Sequence, residues 1–289
     1  MTFLETMLAR AKADKQTIVL PEGNDPRTLE AAEKLLGHDA CNIVILGDKA
    51  AIDGAGRKLE GARIIDPKTS ELREEFATKL YELRKHKGMT PDDALAKMDD
   101  ELYFGVMMVK CGQADGMVSG ACHATADVLR PCLQILKTKP GTKLVSAFFL
   151  MEVPNCEFGE NGTFIFSDCG LEVQPDDERL AHIAVNSARS WKSLMGTEPA
   201  VALLSHSSKG SARNDDASKV VRAVEIAHEL APEIALDGEL QLDAAIVPAV
   251  GESKAPGSAV AGHANVLIFP DLDAGNIGYK LVQRLAKAE

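Results

Sequence analysis

The sequence predicts an α/β protein whose mostly parallel sheets carry helices on both faces. Short apolar runs rich in β-branched residues, such as 17–21 and 200–204, alternate along the chain with longer segments of helical periodicity. The chain has 289 residues, of which 45% are hydrophobic, so it can build one large or two medium cores. A Lys-Pro-Gly break at 139–141 predicts two domains, 1–140 and 141–289.

The first half of the chain contains four predicted strands and five predicted helices. The clearest helix start is at Thr90, where an N-cap residue precedes Pro91 and two acidic residues. The first fourteen residues predict an amphipathic helix and not a secretion signal. Strands are predicted at 17–21, 42–46, 62–66 and 116–120, and helices at 1–14, 26–36, 70–87, from 91 onward, and at 125–137.

The second half repeats the alternation. The polar turn 154–162 lies between two apolar runs, which predicts an antiparallel strand pair. The final helical pattern, 279–289, contains no Gly, Asn or Pro stop signal. Strands are predicted at 144–150, 163–167, 200–204 and 266–269, and helices at 176–194, 215–230 and from about 275.

Composition excludes several classes of protein. The formal net charge is −11 and no basic stripe is visible, which argues against nucleic-acid binding. No apolar run approaches the roughly 18 residues of a membrane span. The six cysteines form no C-x-x-C pair, so a zinc ribbon is not predicted. We therefore expect a cytoplasmic protein with reduced thiols.

The most polar loop follows the strand 200–204. Four serines, including Ser205 and Ser207, surround Lys209 and Gly210. Small residues allow backbone N–H groups to approach an anion, and hydroxyls and an ammonium add donors. This pattern predicts a phosphate or pyrophosphate cradle, although it lacks the Walker A spacing. The alternative is an ordinary serine-rich turn that caps the next helix.

A second candidate anion site follows the strand 116–120. Ser119, Thr125 and Arg130 could bind an anion at a helix N-terminus, with His123 as a base or donor. The alternative is that Thr125 is only an N-cap and Arg130 a solvated helix charge. In open α/β sheets ligands bind beyond the carboxyl ends of the strands, which is where both candidate loops lie.

Three other residues carry open alternatives. Arg27 lies at a predicted helix start, where a cation is mildly unfavourable, and this favours an anion-binding role. Arg84 belongs to a basic run at a predicted helix end, where cations suit the helix dipole. Cys156 lies in a turn, and with no adjacent base in the sequence a packing role is favoured.

Acidic segments at 237–243 and 271–276 allow two interpretations each. The first is either an acidic turn or a set of polar groups facing a cleft. In the second, Asp271, Asp273 and Asn276 could bind a metal, a ribose or an amide, or could form a helix-capping turn. These residue patterns predict an enzyme-like α/β protein with anion-binding sites but select no reaction.

The same segments resemble the phosphate acetyltransferase (phosphotransacetylase) family, and they occur in the order expected of it. The resemblance covers essentially the whole chain. The matching segments are YELRKHKG at 81–88, VSGA at 118–121, VLRPCLQ at 128–134, FSD at 166–168, KGSA at 209–212, DGELQ at 237–241, KAPG at 254–257, FPDL at 269–272 and GNIGYK at 275–280.

The resemblance implies two α/β domains with a cleft between them, a fold similar to the isocitrate and isopropylmalate dehydrogenases, and a homodimer. It implies interconversion of acetyl-CoA and phosphate with coenzyme A and acetyl phosphate. Coenzyme A is then a substrate, and neither a cofactor nor a metal takes part in the chemistry. The coenzyme A thiolate attacks the acetyl carbonyl within a ternary complex, without an acyl-enzyme.

The resemblance also implies roles for individual residues. Arg27, Arg84 and Arg130 correspond to functionally important arginines, which suit bidentate binding of phosphate. Ser119 and Thr125 belong to the matching loop and helix start, and Cys156 is expected near the cleft without acting as a nucleophile. The loop from Ser205 through Ser207 and Lys209 resembles a coenzyme A-contacting loop, and Asn276 and Lys280 are expected to line the cleft.

One departure from the family pattern concerns the end of the chain. Family members are expected to continue beyond the position of Glu289 with an Asn-Asp-Leu-Ser-Arg-Gly-type motif and a following Asp. That segment is expected to carry catalytic groups and to complete the first domain, with the last helix leading back to it. A phosphate butyryltransferase and a non-catalytic coenzyme A- or phosphate-binding protein stay open as alternatives. The pathway also stays open between acetate metabolism and ethanolamine breakdown.

Overall fold

The computed structural model describes residues 3–289. The chain forms two compact units, one up to Lys137 and one from Thr138 to Glu289. Each unit contains its own sheet and its own hydrophobic core. The predicted completion of the first domain by a further segment stays a prediction.

The first unit is built on a four-stranded parallel sheet with the order β3-β2-β1-β4. Helices connect its strands, as parallel pairing requires. The strands are β1 (Thr17–Leu20), β2 (Asn42–Leu46), β3 (Arg63–Ile65) and β4 (Gly116–Met117), and the helices are α1 (Phe3–Ala13), α2 (Pro26–His38), α3 (Lys49–Gly54), α4 (Arg73–Arg84), α5 (Pro91–Lys97), α6 (Glu101–Lys110) and α7 (Thr125–Pro131).

Both faces of this sheet are buried, which explains why its strands are apolar at successive positions. Along β2, Val44 and Leu46 pack into the cluster that includes α4, α5 and α6, whereas Ile43 and Ile45 pack against α2 and Ile52. The predicted start of α5 is confirmed, because Thr90 and Asp93 form a reciprocal capping box.

The second unit contains a five-stranded sheet with the order β5-β6-β9-β7-β8. Only β5 is antiparallel to its neighbour, as the polar turn between β5 and β6 predicts. The strands are β5 (Phe148–Glu152), β6 (Thr163–Ser167), β7 (Ala200–Leu204), β8 (Ala235–Leu240) and β9 (Val266–Ile268), and the helices are α8 (Asp177–Met195), α9 (Asp215–Leu230), α10 (Leu242–Ile246), α11 (Pro248–Lys254) and α12 (Leu272–Leu285).

The second sheet is also covered on both faces. Val201 and Leu203 of β7 pack with α8 and α9, and Ala202 and Leu204 pack on the opposite face with α10. Period-two alternation therefore sends successive side chains into two separate cores. The mixed α/β architecture that the sequence predicts is confirmed.

Strand β5 begins later than predicted. The run 144–150 is apolar, but pairing starts only at Phe148. The residue before it, Ala147, donates its backbone N–H to Asp168 Oδ2 at 2.8 Å and accepts from Ser167 Oγ at 3.0 Å. These side chains take the hydrogen bonds that a continued ladder would need.

The predicted helix 125–137 changes its winding at Pro131. The α-helical part, α7, ends there, and residues Cys132–Leu136 form one wider π-helical turn. Proline lacks a backbone N–H and clashes with the preceding turn, so an α-helix is interrupted near it. Similarly, the predicted helix 70–87 ends as α4 at Arg84, and a 3-10 turn leads to Gly88.

The sequence patterns did not predict α3, α6, β8, α10 or α11. Seven of the ten residues of α6 are buried, so it lacks the polar face that would reveal a helical period. The acidic segment 237–243 forms most of β8 and the start of α10, and the interpretation as a turn was wrong. Asp, Gly and Glu are poor strand residues, which concealed β8.

Across the described part of the chain, no helix is both long and apolar enough to cross a membrane. The longest, α8, has 19 residues and begins with Asp177 and Glu178.

Candidate functional site

A buried carboxylate organises the end of β4 in the first unit. Glu22, which follows β1 and is 2% exposed, accepts four backbone N–H groups from residues 120–123 at 2.8 to 3.0 Å. Burial raises the pKa of Glu22, but the hydrogen bonds from Cys122, His123, Ala121 and Gly120 outweigh it and hold the pKa far below its ordinary value. The loop 119–123 therefore does bind an anion, and that anion is a side chain of the protein.

Arg27 lies beside this loop. Asp25 is the N-cap of α2, and Arg27 donates to it through Nε at 3.0 Å and through Nη2 at 2.7 Å. Arg27 Nη2 also donates to the backbone oxygen of Ala121. A cation at this helix start is thus neutralised by its own cap, which removes the electrostatic argument for an anion ligand. The role of Arg27 in binding phosphate stays a prediction.

The charges of two predicted arginines influence the pKa of one phenol in the same unit. Tyr103 on α6 is 4% exposed, and its hydroxyl donates to Gln134 Oε1 at 3.0 Å. Burial raises the pKa of Tyr103, Asp100 adds to the increase, and the charges of Arg130 and Arg84 oppose it. The charges of Arg84 and Arg130 therefore both lower the pKa of one hydroxyl group.

Arg84 carries an unused donor at this position. Within residues 3–289, its buried Nε has no hydrogen-bond partner, and the same is true of the Ser119 hydroxyl. Arg130 is 56% exposed and contacts Asp127 at 3.3 Å. A buried N–H without a partner costs free energy, and an anionic ligand could receive this hydrogen bond, so Arg84 is suited to bind an anion.

The alternative role of Thr125 as an N-cap was wrong. Thr125 is the first residue of α7, and the N-cap is Ala124, which has no capping side chain. Thr125 is exposed, so its side chain is free for contact with solvent or ligand. No sequence pattern indicated Tyr103, because this residue lies within an almost wholly buried helix.

In the second unit, the loop 205–212 also surrounds a carboxylate. Ser207 is fully buried, and its hydroxyl donates to Glu239 Oε1 at 2.8 Å, an oxygen that also accepts from the backbone N–H of Gly210 at 2.7 Å. The Ser205 hydroxyl accepts the N–H of Ser207 at 3.1 Å. The donors that predicted a phosphate cradle therefore hold Glu239, and contact of Ser205 and Ser207 with a substrate stays a prediction.

Lys209 contacts β8, the strand that also carries Glu239. Its ammonium pairs with Asp237 and donates to the backbone oxygen of Gly238 at 3.1 Å. Asp237 also accepts a hydrogen bond from the Ser258 hydroxyl. Burial raises the pKa of Asp237, and the contacts with Lys209, Ser258 and the N–H of Gly238 together bring it below its ordinary value.

We expect Asp237→Asn to lower the free energy of unfolding at neutral pH by about 2 kcal/mol, because Lys209 loses a charged partner. The folded-state pKa of Asp237 lies below the ordinary 3.8, so its contribution is complete above that value and is lost as the pH falls through the folded-state pKa. Urea denaturation of wild type and Asp237→Asn at several pH values should show that their difference in the free energy of unfolding becomes smaller in acid.

Glu233→Gln, at an exposed position of the same unit, is the control for losing one negative charge. If the difference in the free energy of unfolding between wild type and Asp237→Asn stayed constant or increased in acid, the lowered folded-state pKa of Asp237 would be contradicted.

The remaining predicted residues lie at two other positions in the second unit. Cys156 is partly buried against the core in the turn after β5, and the next residue, Glu157, lines a cavity of about 330 Å³ with His263. On α12, Asn276 Nδ2 donates to the backbone oxygen of Cys169 at 3.2 Å, and Lys280 Nζ donates to Asn276 Oδ1. Asp271 is the N-cap of α12, which confirms the capping alternative for that residue.

The structure thus brings together predicted residues within each unit. In the first unit, the charges of Arg84 and Arg130 both act on the Tyr103 hydroxyl, and Arg27 contacts the loop that begins at Ser119. In the second unit, the predicted serines and Lys209 share one loop, whereas Cys156 lies in a separate turn and Asn276 and Lys280 lie on α12.

Comparisons with known proteins agree with this fold and these motifs. The chain is 58% identical over 290 residues to a phosphate acetyltransferase of Thermoanaerobacterium thermosaccharolyticum, covering 100% of this chain and 88% of the relative. A phosphotransacetylase structure from Streptococcus pyogenes matches with a TM-score of 0.91 and 42% identity, over 100% of this chain and 88% of that one. The EutD phosphotransacetylase structure from Staphylococcus aureus matches with a TM-score of 0.89 and 43% identity, over 99% and 87%.

These similarities define an α/β protein of the phosphotransacetylase fold. The sequence model of the Phosphate acetyl/butaryl transferase family matches residues 2–289, and the chain belongs to that family.

Proposed function

We propose that this protein is a phosphate acetyltransferase, which interconverts acetyl-CoA and phosphate with coenzyme A and acetyl phosphate. The observation that carries the proposal is the unpartnered, buried Nε of Arg84, whose charge acts together with that of Arg130 on the Tyr103 hydroxyl. Support comes from the 58% identity to a relative named phosphate acetyltransferase. In a chain with a net charge of −11, two arginines whose charges both act on one hydroxyl favour a local basic site for an anion.

We propose that these residues act by binding and orientation. Arg84 and Arg130 would hold the phosphoryl oxygens, since a guanidinium group stays charged and presents its N–H donors in a fixed plane. The coenzyme A thiolate would attack the acetyl carbon directly in a ternary complex, so that binding energy supplies the orientation of the two substrates. Coenzyme A is then a substrate, and the proposed chemistry uses neither a cofactor nor a metal. The homodimer also stays a proposal.

The test is acetyl-CoA formation from acetyl phosphate and coenzyme A, followed by thioester absorbance. We would assay the chain as it stands beside a version extended by the C-terminal segment of the Thermoanaerobacterium relative. Turnover by either version supports the proposal. If both versions fold and neither forms acetyl-CoA, the proposal is wrong.

Acyl specificity is tested in the same assay with butyryl phosphate, because the family description covers both acyl groups. We expect a higher kcat/KM with acetyl phosphate. A preference for butyryl phosphate would assign the chain to the other branch of the family. Saturable coenzyme A or phosphate binding without turnover of either substrate would support a binding protein.

A further inference from the structure

Three side chains of different chemistry converge near the end of β1 in the first unit. They are the carboxylate of Glu22, the thiol of Cys122 and the imidazole of His123, whose ligand atoms all lie within 4.8 Å of one another. Cys122 Sγ lies 3.4 Å from Glu22 Oε1 and 3.7 Å from His123 Nδ1. His123 Nδ1 lies 2.8 Å from the same carboxylate oxygen.

These separations are close to those of a tetrahedral zinc site. Bonds of about 2.3 Å to sulfur and about 2.0–2.2 Å to nitrogen and oxygen place neighbouring ligand atoms about 3.4–3.6 Å apart. Both distances from Cys122 Sγ already agree with that range to within about 0.2 Å. Only the separation of His123 Nδ1 from Glu22 Oε1 must increase, by about 0.6 Å.

The hydrogen bonds show how an ion would replace protons. The Cys122 thiol donates to Glu22 Oε1, and His123 Nδ1 also contacts this oxygen. An ion bound between the three atoms takes the place of both protons. The thiol releases its proton to solvent, and the proton of a neutral imidazole moves from Nδ1 to Nε2, so that one proton leaves for each ion bound. One carboxylate and one thiolate then balance the two positive charges of the ion.

The surroundings hold the carboxylate in place and leave the other two groups accessible. Glu22 Oε2 accepts the backbone N–H groups of Gly120 and Ala121, which fix the carboxylate as outer contacts do in known metal sites. The Cys122 side chain is exposed and the His123 side chain is 32% exposed, so an ion can enter from solvent and a water molecule can be the fourth ligand.

We propose that Glu22, Cys122 and His123 form a binding site for a thiophilic divalent cation, with Zn²⁺ as the best match. Thiolate and imidazole ligands favour Zn²⁺ over Mg²⁺ and Ca²⁺, which prefer oxygen ligands. Two nearby charges oppose each other, since Arg27 disfavours a cation and Asp25 favours one. Glu101, whose charge also acts on His123, adds a further negative group near the site.

The test uses Co²⁺ as a spectroscopic probe for the full chain under reducing conditions, followed by displacement with Zn²⁺. Wild type should bind one equivalent with a thiolate-to-cobalt charge-transfer band and the strong visible bands of a tetrahedral site. Cys122→Ser should abolish the charge-transfer band and weaken Zn²⁺ binding at least about 100-fold, because loss of an outer contact alone costs about 10–100-fold. His123→Ala should weaken Zn²⁺ binding to a similar extent.

Cys41→Ser is the matched control, because Cys41 is a partly buried thiol of the same unit outside the cluster. This variant should bind Co²⁺ and Zn²⁺ as wild type does. Equal Zn²⁺ affinity in wild type and Cys122→Ser, or a cobalt band that disappears in Cys41→Ser, would overturn the proposal. Cys122→Ser changes one atom of an exposed side chain, and circular dichroism checks the fold of every variant. Since the readout is metal binding, it is independent of acetyl transfer.

Discussion

Replacing Arg84 with alanine is expected to lower kcat/KM for acetyl phosphate by about 100-fold. A charge-assisted hydrogen bond contributes about 1.5–3 kcal/mol, and loss of one donor to a developing charge costs a similar amount or more. The buried Nε of Arg84 has no partner within residues 3–289, so its removal leaves no protein acceptor unsatisfied. The effect should therefore appear in catalysis and not in stability, which steady-state kinetics and thermal unfolding would measure together.

The matched control is Arg73→Ala on the same helix. Arg73 is bound to Asp99 at 2.7 Å, so this variant removes the same charge without removing an unused donor. We expect kcat/KM close to the wild-type value. Arg84→Lys should fall between wild type and alanine, since an ammonium keeps the charge but loses the planar donor arrangement. Equal kinetics for Arg84→Ala and Arg73→Ala would contradict a role of Arg84 in binding phosphate.

Replacing Glu22 with alanine is expected to destabilise the first unit by about 3 kcal/mol. The substitution leaves the four N–H groups of residues 120–123 without their shared acceptor, and only part of this loss can be made up by water. The sole tryptophan, Trp191, lies in the second unit, so its fluorescence does not report directly on this change. Hydrogen exchange of residues 120–123, together with urea denaturation followed by circular dichroism, is the appropriate measurement.

Glu30→Ala is the control for Glu22→Ala. Glu30 forms an exposed i,i+4 ion pair with Lys34 on α2, and such surface pairs contribute little to stability. We expect hydrogen exchange in 120–123 to be unchanged in this variant. If Glu22→Ala left those N–H groups as protected as in wild type, the carboxylate would not be what holds the loop.

The locations of most helices and strands follow from the sequence because their signals are local. The apolar run of β2 and the capping box at Thr90 each need only a few neighbouring residues. The helix α6 escaped prediction because burial on all sides removes its helical period, and the acidic strand β8 escaped it because tertiary packing stabilises a strand against its residue preferences.

At the two candidate sites, too, local sequence indicates one part of the structure and tertiary packing decides the other. The loops 119–123 and 205–212 both surround an anion, but in 119–123 the donors are backbone N–H groups, and the Ser119 hydroxyl has no partner within residues 3–289. Loop 119–123 holds Glu22, which lies about 100 residues earlier in the chain. Loop 205–212 follows β7 and holds Glu239, which belongs to the neighbouring strand β8.

The sequence by itself determined the α/β class, the order of most elements and the family, because periodicity, caps and ordered motifs are local properties of the chain. Only the tertiary structure decided that both anion-binding loops surround carboxylates of the protein, that the charges of Arg84 and Arg130 both lower the pKa of Tyr103, and that a thiol and an imidazole meet a buried glutamate. Glu22 lies about 100 residues before Cys122 and His123, and Glu239 lies 32 residues after Ser207, so only the packing of the sheets brings these groups within hydrogen-bonding distance.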